Sequence, residues 1–339
     1  MLCVFPARAT MLFQTTQEVA AILVYILFVI GFVILIKGAD ALVAGASSLA
    51  KRLNISNLAI GLTVVAFGTS APELIVNVIA SVQGNTDIAI GNIIGSNIAN
   101  ILLILGISSI IYPLAVKKNT VWKEIPLSLL AALLLGILAN DVLLDNAPYS
   151  ALTRIDGLVL IAFFIIFLYY TFGIAKVENG DTEDDIEQAG TVKAVAFIVL
   201  GLTGLAIGGK WIVDGAVHIA SSLGVSQAFI GLSIVAIGTS LPELATSAVA
   251  ALKKNTDIAI GNVVGSNIFN IFWVLGLSAT IKPLRFEPAG NTDIGMVILA
   301  SFLLFGLLFL GKRHKLEKTE GVIFVLTYIA YIVFLVVRG

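Results

Sequence analysis

Two glutamates, Glu73 and Glu243, close matching strings, Gly68-Thr69-Ser70-Ala71-Pro72-Glu73 and Gly238-Thr239-Ser240-Leu241-Pro242-Glu243, each inside strongly apolar sequence. A carboxylate at membrane depth costs ~2.5–3.5 kcal/mol on insertion scales, so a matched pair points to a built ion site. The prolines sharpen this, because a proline ring in a helix conflicts with the carbonyl four residues back. Those carbonyls belong to Gly68 and Gly238. At membrane depth a freed carbonyl must line a cavity or meet a ligand, and a hard cation would satisfy it.

Helical spacing puts Ala66, Thr69 or Ser70, and Glu73 on one stripe, and Ala236, Thr239 or Ser240, and Glu243 on another. In the apolar stretch that follows each, Asn92, Ser96 and Asn100 recur every fourth residue, as do Asn262, Ser266 and Asn270. Gly91, Gly95, Gly261 and Gly265 remove bulk beside them, which permits close helix approach. The motifs offer carboxylates, amides, hydroxyls and carbonyls but no cysteine or histidine. Such a set suits Ca²⁺, Na⁺ or, less well, Mg²⁺, and argues against zinc or copper.

Each feature also has a bland explanation. Proline can simply kink a membrane helix, and small or polar residues can simply pack helices. The acids could form a proton relay or pair with Lys37 and Lys210, although Asp40 and Asp214 lie within a turn of those lysines and explain them more economically. The joint recurrence of every polar element in both places favours the ion site. Enzyme chemistry has little to work with, since the two histidines, His218 and His314, lie far apart and outside the motifs.

The elements that must carry these residues span a bilayer. The chain of 339 residues is 58% hydrophobic and 12% charged, with a mean hydropathy of +1.04, far above a soluble domain. Apolar stretches long enough to cross ~30 Å of hydrocarbon as helices number about ten, near 19–50, 56–82, 87–112, 122–140, 152–174, 191–221, 226–251, 257–281, 291–311 and 319–337. The expected fold is therefore all-α, with ten transmembrane helices. Residues 85–101 and 255–271 differ only at positions 93, 94 and 99, so the chain reads as two five-helix repeats, 19–175 and 191–339. An odd helix count per repeat sends the copies into the membrane from opposite sides. The loop charges agree: Lys51 and Arg52 correspond to Ser221 and Ser222, whereas Gln83 and Gly84 correspond to Lys253 and Lys254. The same rule puts both termini outside the cell and the acidic linker 176–190 in the cytoplasm. That linker lacks the ligand spacing of a calcium-binding loop and reads as a solvated connector. Residues 1–18 read as a disordered lead, and the single cysteine, Cys3, excludes an intrachain disulfide. A net charge of −1 gives no reason to expect nucleic acid.

The strings GLTVVAFGTSAPEL with GNIIGSNIANILLILG, and GLSIVAIGTSLPEL with GNVVGSNIFNIFWVLG, strongly resemble the two alpha-repeats of the sodium/calcium exchanger family. The resemblance implies a monomeric cell-membrane antiporter that needs no cofactor and exchanges Ca²⁺ for Na⁺ by alternating access. H⁺ as the coupling ion and a plain cation channel are the alternatives. By resemblance, Glu73 and Glu243 are the central Ca²⁺ carboxylates, assisted by the Thr69 and Thr239 carbonyls. The Ala66 and Ala236 carbonyls and the hydroxyls of Ser70, Ser96, Ser240 and Ser266 would flank them with Na⁺ sites, and Asn100 and Asn270 would hold the middle. Exchangers commonly carry Asp at one of those last two places, and here both are amides. With only two carboxylates the site balances one Ca²⁺ or two monovalent ions, so exchange near electroneutrality, or with an ion other than Na⁺, is expected.

Overall fold

The computed structural model describes residues 5–173, 190–224, 236–310 and 313–338, and gives side-chain surroundings from residue 22 onward. The expected linker therefore lies, but for Gly190, outside the described residues. Twelve helical elements matter below. They are α1 (Phe5–Leu53), α2 (Asn57–Thr69), α3 (Ala71–Gln83), α4 (Thr86–Ile111), α5 (Lys118–Leu138), α6 (Arg154–Gly173), α7 (Thr191–Ser222), α8 (Ala236–Thr239), α9 (Leu241–Leu252), α10 (Thr256–Ile281), α11 (Asn291–Leu307) and α12 (Lys318–Arg338). α1 begins inside the stretch that the sequence reads as a lead.

Among the described residues eight helices are long and apolar enough to cross a membrane, or nine if α2 and α3, bent by 47°, form one span. The seventh expected span, 226–251, is described only from residue 236, where α9 supplies a shorter apolar helix. α4 and α10 form the buried centre, while α1, α6, α7, α11 and α12 turn much of their apolar surface outward, as helices against lipid must.

α1 and α7 lie backbone to backbone. Gly31, Gly38 and Gly45 recur every seventh residue on α1, and Gly201, Gly208 and Gly215 do the same on α7. A Cβ at Gly201 would stand 2.6 Å from the Leu42 nitrogen, and one at Gly38 would stand 2.8 Å from the Leu205 nitrogen. Only a residue without a side chain fits there.

Two short ribbons tie the loops together. β1 (Leu114–Ala115) pairs antiparallel with β4 (Lys315–Leu316), and β2 (Ser150–Leu152) pairs with β3 (Leu284–Phe286). Near the second ribbon Asn140 and Asn291 exchange amide hydrogen bonds of 2.7 Å in both directions, joining α5 to α11. Lys210 pairs with Asp214 at 2.6 Å, as the sequence suggests. Asp40 does not pair with Lys37; its partner is Lys253 on the loop after α9, at 2.6 Å, because α9 packs beside α1.

Candidate functional site

The proline strings end helices rather than kink them. Ser70 (φ −81°, ψ 6°) closes α2, and α3 starts at Ala71 with Pro72 in its first turn, where a missing N–H costs nothing. Ser240 (φ −89°, ψ 4°) does the same between α8 and α9. Each glutamate thus stands in the first turn of a new helix, near unpaired backbone N–H groups that favour a carboxylate.

The two strings then meet. The Ser70 hydroxyl donates to Glu243 Oε1 at 3.0 Å, and Ser266 reaches the same oxygen at 3.4 Å. In the mirror arrangement Ser240 and Ser96 each approach Glu73 Oε1 at 3.5 Å and lie 3.2 Å from each other. Thr69 donates to Asn262 Oδ1 at 3.0 Å, and Thr239 donates to Asn92 Oδ1 at 3.3 Å. Asn92 in turn donates to Asn77, and Asn262 donates to Ser247, so each amide is held in place from behind. The serine-to-glutamate and threonine-to-asparagine bonds each have a counterpart with the halves exchanged, whereas among the described residues the Ser240–Ser96 contact has none between Ser70 and Ser266.

Asn100 and Asn270 lie one turn beyond Ser96 and Ser266, in π-helical turns at Ala99–Leu105 and Phe269–Leu275. Such a turn shifts helix register by one residue and is frequent at functional sites. Asn100 Nδ2 donates to Asn267 Oδ1 at 2.9 Å, and Asn270 Nδ2 donates to Asn97 Oδ1 at 3.0 Å.

What remains is informative. Glu73 Oε2, Glu243 Oε2, Asn100 Oδ1 and Asn270 Oδ1 are buried with no hydrogen-bond partner. All four are acceptors, two of them on carboxylates. A buried acceptor left unpaired costs about 1–3 kcal/mol, and more when charged. Hard cations are satisfied by such oxygens. Among the described residues no group of three His, Cys, Asp or Glu could hold a metal, so any cation here would lean on neutral oxygens beside the two glutamates.

The structure therefore gathers Glu73, Glu243, Ser70, Ser240, Ser96, Ser266, Thr69 and Thr239 into one cluster, with Asn100 and Asn270 a turn away. The Ala66 carbonyl already accepts from Ser70 N at 3.0 Å and Thr69 Oγ1 at 3.3 Å. Ala236 opens α8, and its side chain lies outside the described residues. Gly261 and Gly265 do permit close approach: a Cβ at Gly265 would stand 2.8 Å from the Leu62 carbonyl. For Gly91 and Gly95 no described atom comes within 4 Å, and positions 228 and 232, the repeat counterparts of Leu58 and Leu62, lie outside the described residues.

Sequence reasoning passed over Asn97, Asn267, Asn77 and Ser247. The available signal was again recurrence: Asn97 and Asn267 occupy one place in both copies of an otherwise apolar helix. It also passed over Glu124, fully buried at the start of the second part of α5 and bonded at 2.9 Å by the Tyr170 hydroxyl.

A multi-pass helical membrane protein enclosing a buried cluster of acceptor oxygens belongs to the class of cation transporters, and comparison with known proteins narrows this. The family described as "Sodium/calcium exchanger protein" matches residues 23–173 and 193–337, and the chain belongs to it. The chain is 42% identical over 315 residues to the putative antiporter CaxA of Alkalimonas amylolytica, covering 90% of this chain and 96% of that protein. It is 33% identical to the sodium/calcium exchanger MaX1 of Methanosarcina acetivorans, over 92% of this chain and 98% of that one. A solved structure of the sodium-calcium exchanger NCX_Mj superposes with a TM-score of 0.80 at 36% identity, covering 92% of this chain and 99% of that chain. The protein is a transmembrane cation/calcium antiporter of this family.

Proposed function

We propose that this antiporter exchanges Ca²⁺ for Na⁺, the ions compete for the cage around Glu73 and Glu243, and exchange proceeds by alternating access. The observation that carries this reading is the set of four unpartnered buried acceptors, Glu73 Oε2, Glu243 Oε2, Asn100 Oδ1 and Asn270 Oδ1. Hydroxyls from both halves lie against the other oxygen of each glutamate, which leaves Oε2 of each available to a cation. Na⁺ as the counter-ion is in keeping with the names of MaX1 and NCX_Mj. Because the cage carries two formal charges, one Ca²⁺ or two Na⁺ balance it, and exchange is close to electroneutral.

The reading includes ten spans in two inverted halves, with boundaries at 19–175 and 191–339, both termini outside and the 176–190 linker inside. The ribbons support inversion. β1 and β3 are repeat counterparts, Leu114 matching Leu284, yet β1 pairs with β4, which one spanning helix, α11, separates from β3. Equivalent strands then fall on opposite faces. The ion pair of Lys117 with Asp257, at 3.0 Å, joins the residue before α5 to the first turn of α10, two places that the charge rule assigns to the cytoplasm. α1 and α7, zipped through their glycines, slide as one unit past the cage to open it to either side.

Flux in proteoliposomes tests this. Ca²⁺ uptake is expected when Na⁺ is loaded inside and not when a pH or K⁺ gradient is supplied in its place. Uptake driven by the pH gradient alone would assign H⁺ as the partner, and uptake without any counter-ion would make the protein a channel.

A further inference from the structure

Resting on the cage reading above, we propose that Asn97 and Asn267 are positioning residues that fix the amide orientation of Asn270 and Asn100, so that the cage presents only acceptors to its ion. An asparagine side chain is ambivalent, offering an oxygen on one side and an NH₂ on the other. Turned the wrong way, Asn100 or Asn270 would aim N–H donors at the cation. Something has to choose.

The choice propagates from a group with one possible role. The carbonyl of Asn267 can only accept, and Asn97 Nδ2 donates to it at 3.3 Å. That bond leaves Asn97 Oδ1 as the atom facing Asn270. Asn270 must then present its NH₂, which it does at 3.0 Å, and its Oδ1 is left pointing away, buried and unpartnered. On the other side Asn267 Oδ1 accepts from Asn100 Nδ2 at 2.9 Å and Asn100 Oδ1 is buried and unpartnered, the same orientation, but among the described residues no carbonyl holds the Asn267 amide as one holds that of Asn97. All four side chains are almost fully buried, so solvent does not compete for these bonds. Each positioning amide comes from the opposite repeat to the amide it orients, and the arrangement therefore also ties the halves together at the cage.

The test is a double-mutant cycle on the purified full-length protein, read as equilibrium Ca²⁺ and Na⁺ affinity, with monodisperse elution and thermal melting confirming the fold. Asn97→Leu releases Asn270 to flip, and Ca²⁺ affinity is expected to fall roughly 10–100-fold, the range for groups that orient metal ligands. In an Asn270→Ala background, where there is no amide to orient, the same Asn97→Leu change is expected to alter affinity by no more than about twofold, the non-additivity that coupled residues show. A purely structural Asn97 would weaken binding equally in both backgrounds, and that result overturns the proposal, as does wild-type affinity in Asn97→Leu. Should Asn97→Leu fail to fold, Asn267→Leu with Asn100→Ala gives the same cycle from the other side. A wild-type protein that binds neither ion removes the cage reading and this inference together.

Discussion

Replacing Glu243 by Gln probes the cage with the least change of shape. Gln keeps the Oε1 acceptor that Ser70 and Ser266 contact at 3.0 and 3.4 Å, so the fold around it is preserved. It replaces Oε2, unpartnered and at a residue only 1% exposed, with an NH₂ directed into the cage. At the ~2.4 Å of a Ca²⁺–oxygen contact and an effective dielectric of ~20, the attraction between a divalent cation and one carboxylate is ~14 kcal/mol before hydration is subtracted. Dehydrating the ion offsets most of that. Removing one partner of a buried charge pair costs ~2–5 kcal/mol net, which is ~30- to 5,000-fold in affinity. A monovalent ion loses half the Coulomb energy, so Ca²⁺ binding should fall further than Na⁺ binding, and Na⁺-driven Ca²⁺ uptake should vanish. Isothermal titration of detergent-solubilised protein against each ion, paired with ⁴⁵Ca²⁺ uptake into proteoliposomes, reads both effects. Ca²⁺ affinity within about threefold of wild type in a folded Glu243→Gln protein would refute the reasoning.

Other expectations follow from particular contacts. Ser70→Ala removes a 3.0 Å bond to a carboxylate, whereas Ser240→Ala removes contacts of 3.2–3.5 Å, so Ser70→Ala should weaken Ca²⁺ binding more, by about 10-fold or above. Gly201→Val should lower the melting temperature and transport together, because its side chain meets the Leu42 backbone. Gly209→Ala on the same helix, whose nearest neighbour would be Leu35 Cδ1 at 3.9 Å, should be tolerated. Tyr170→Phe leaves both oxygens of buried Glu124 without a side-chain donor and should cost about 1–3 kcal/mol of stability by thermal unfolding. Tyr169→Phe, 83% exposed, is the control and should change nothing measurable.

The twin Gly-Thr-Ser strings and the near-identical stretches 85–101 and 255–271 made the central cluster legible from the sequence, since paired polar residues in apolar helices leave few alternatives. Three features were not legible, for separate physical reasons. A four-residue stripe reads one helix face, and Asn97 and Asn267 fall on the adjoining face, whose partner is the other repeat rather than the ion. The π-helical turns at Asn100 and Asn270 depend on how the two halves pack and have no local signal. Asp40 finds Lys253 rather than Lys37 because side chains on one helix compete with a neighbour that sequence distance conceals. Pro72 and Pro242 read in the sequence as prolines inside a helix that free the Gly68 and Gly238 carbonyls, but each lies in the first turn of a new helix, which gives its glutamate a helix N-terminus that a kink would not supply.

The central claim is that Ca²⁺ and Na⁺ compete for one cage whose only charges are Glu73 and Glu243. Ca²⁺ titration of the purified protein at a series of Na⁺ concentrations tests it most directly. Competitive displacement is expected, with the apparent Ca²⁺ dissociation constant rising as the square of the Na⁺ concentration once Na⁺ saturates. A Ca²⁺ affinity indifferent to Na⁺ would contradict the shared cage, and a cubic dependence would contradict its two-charge balance.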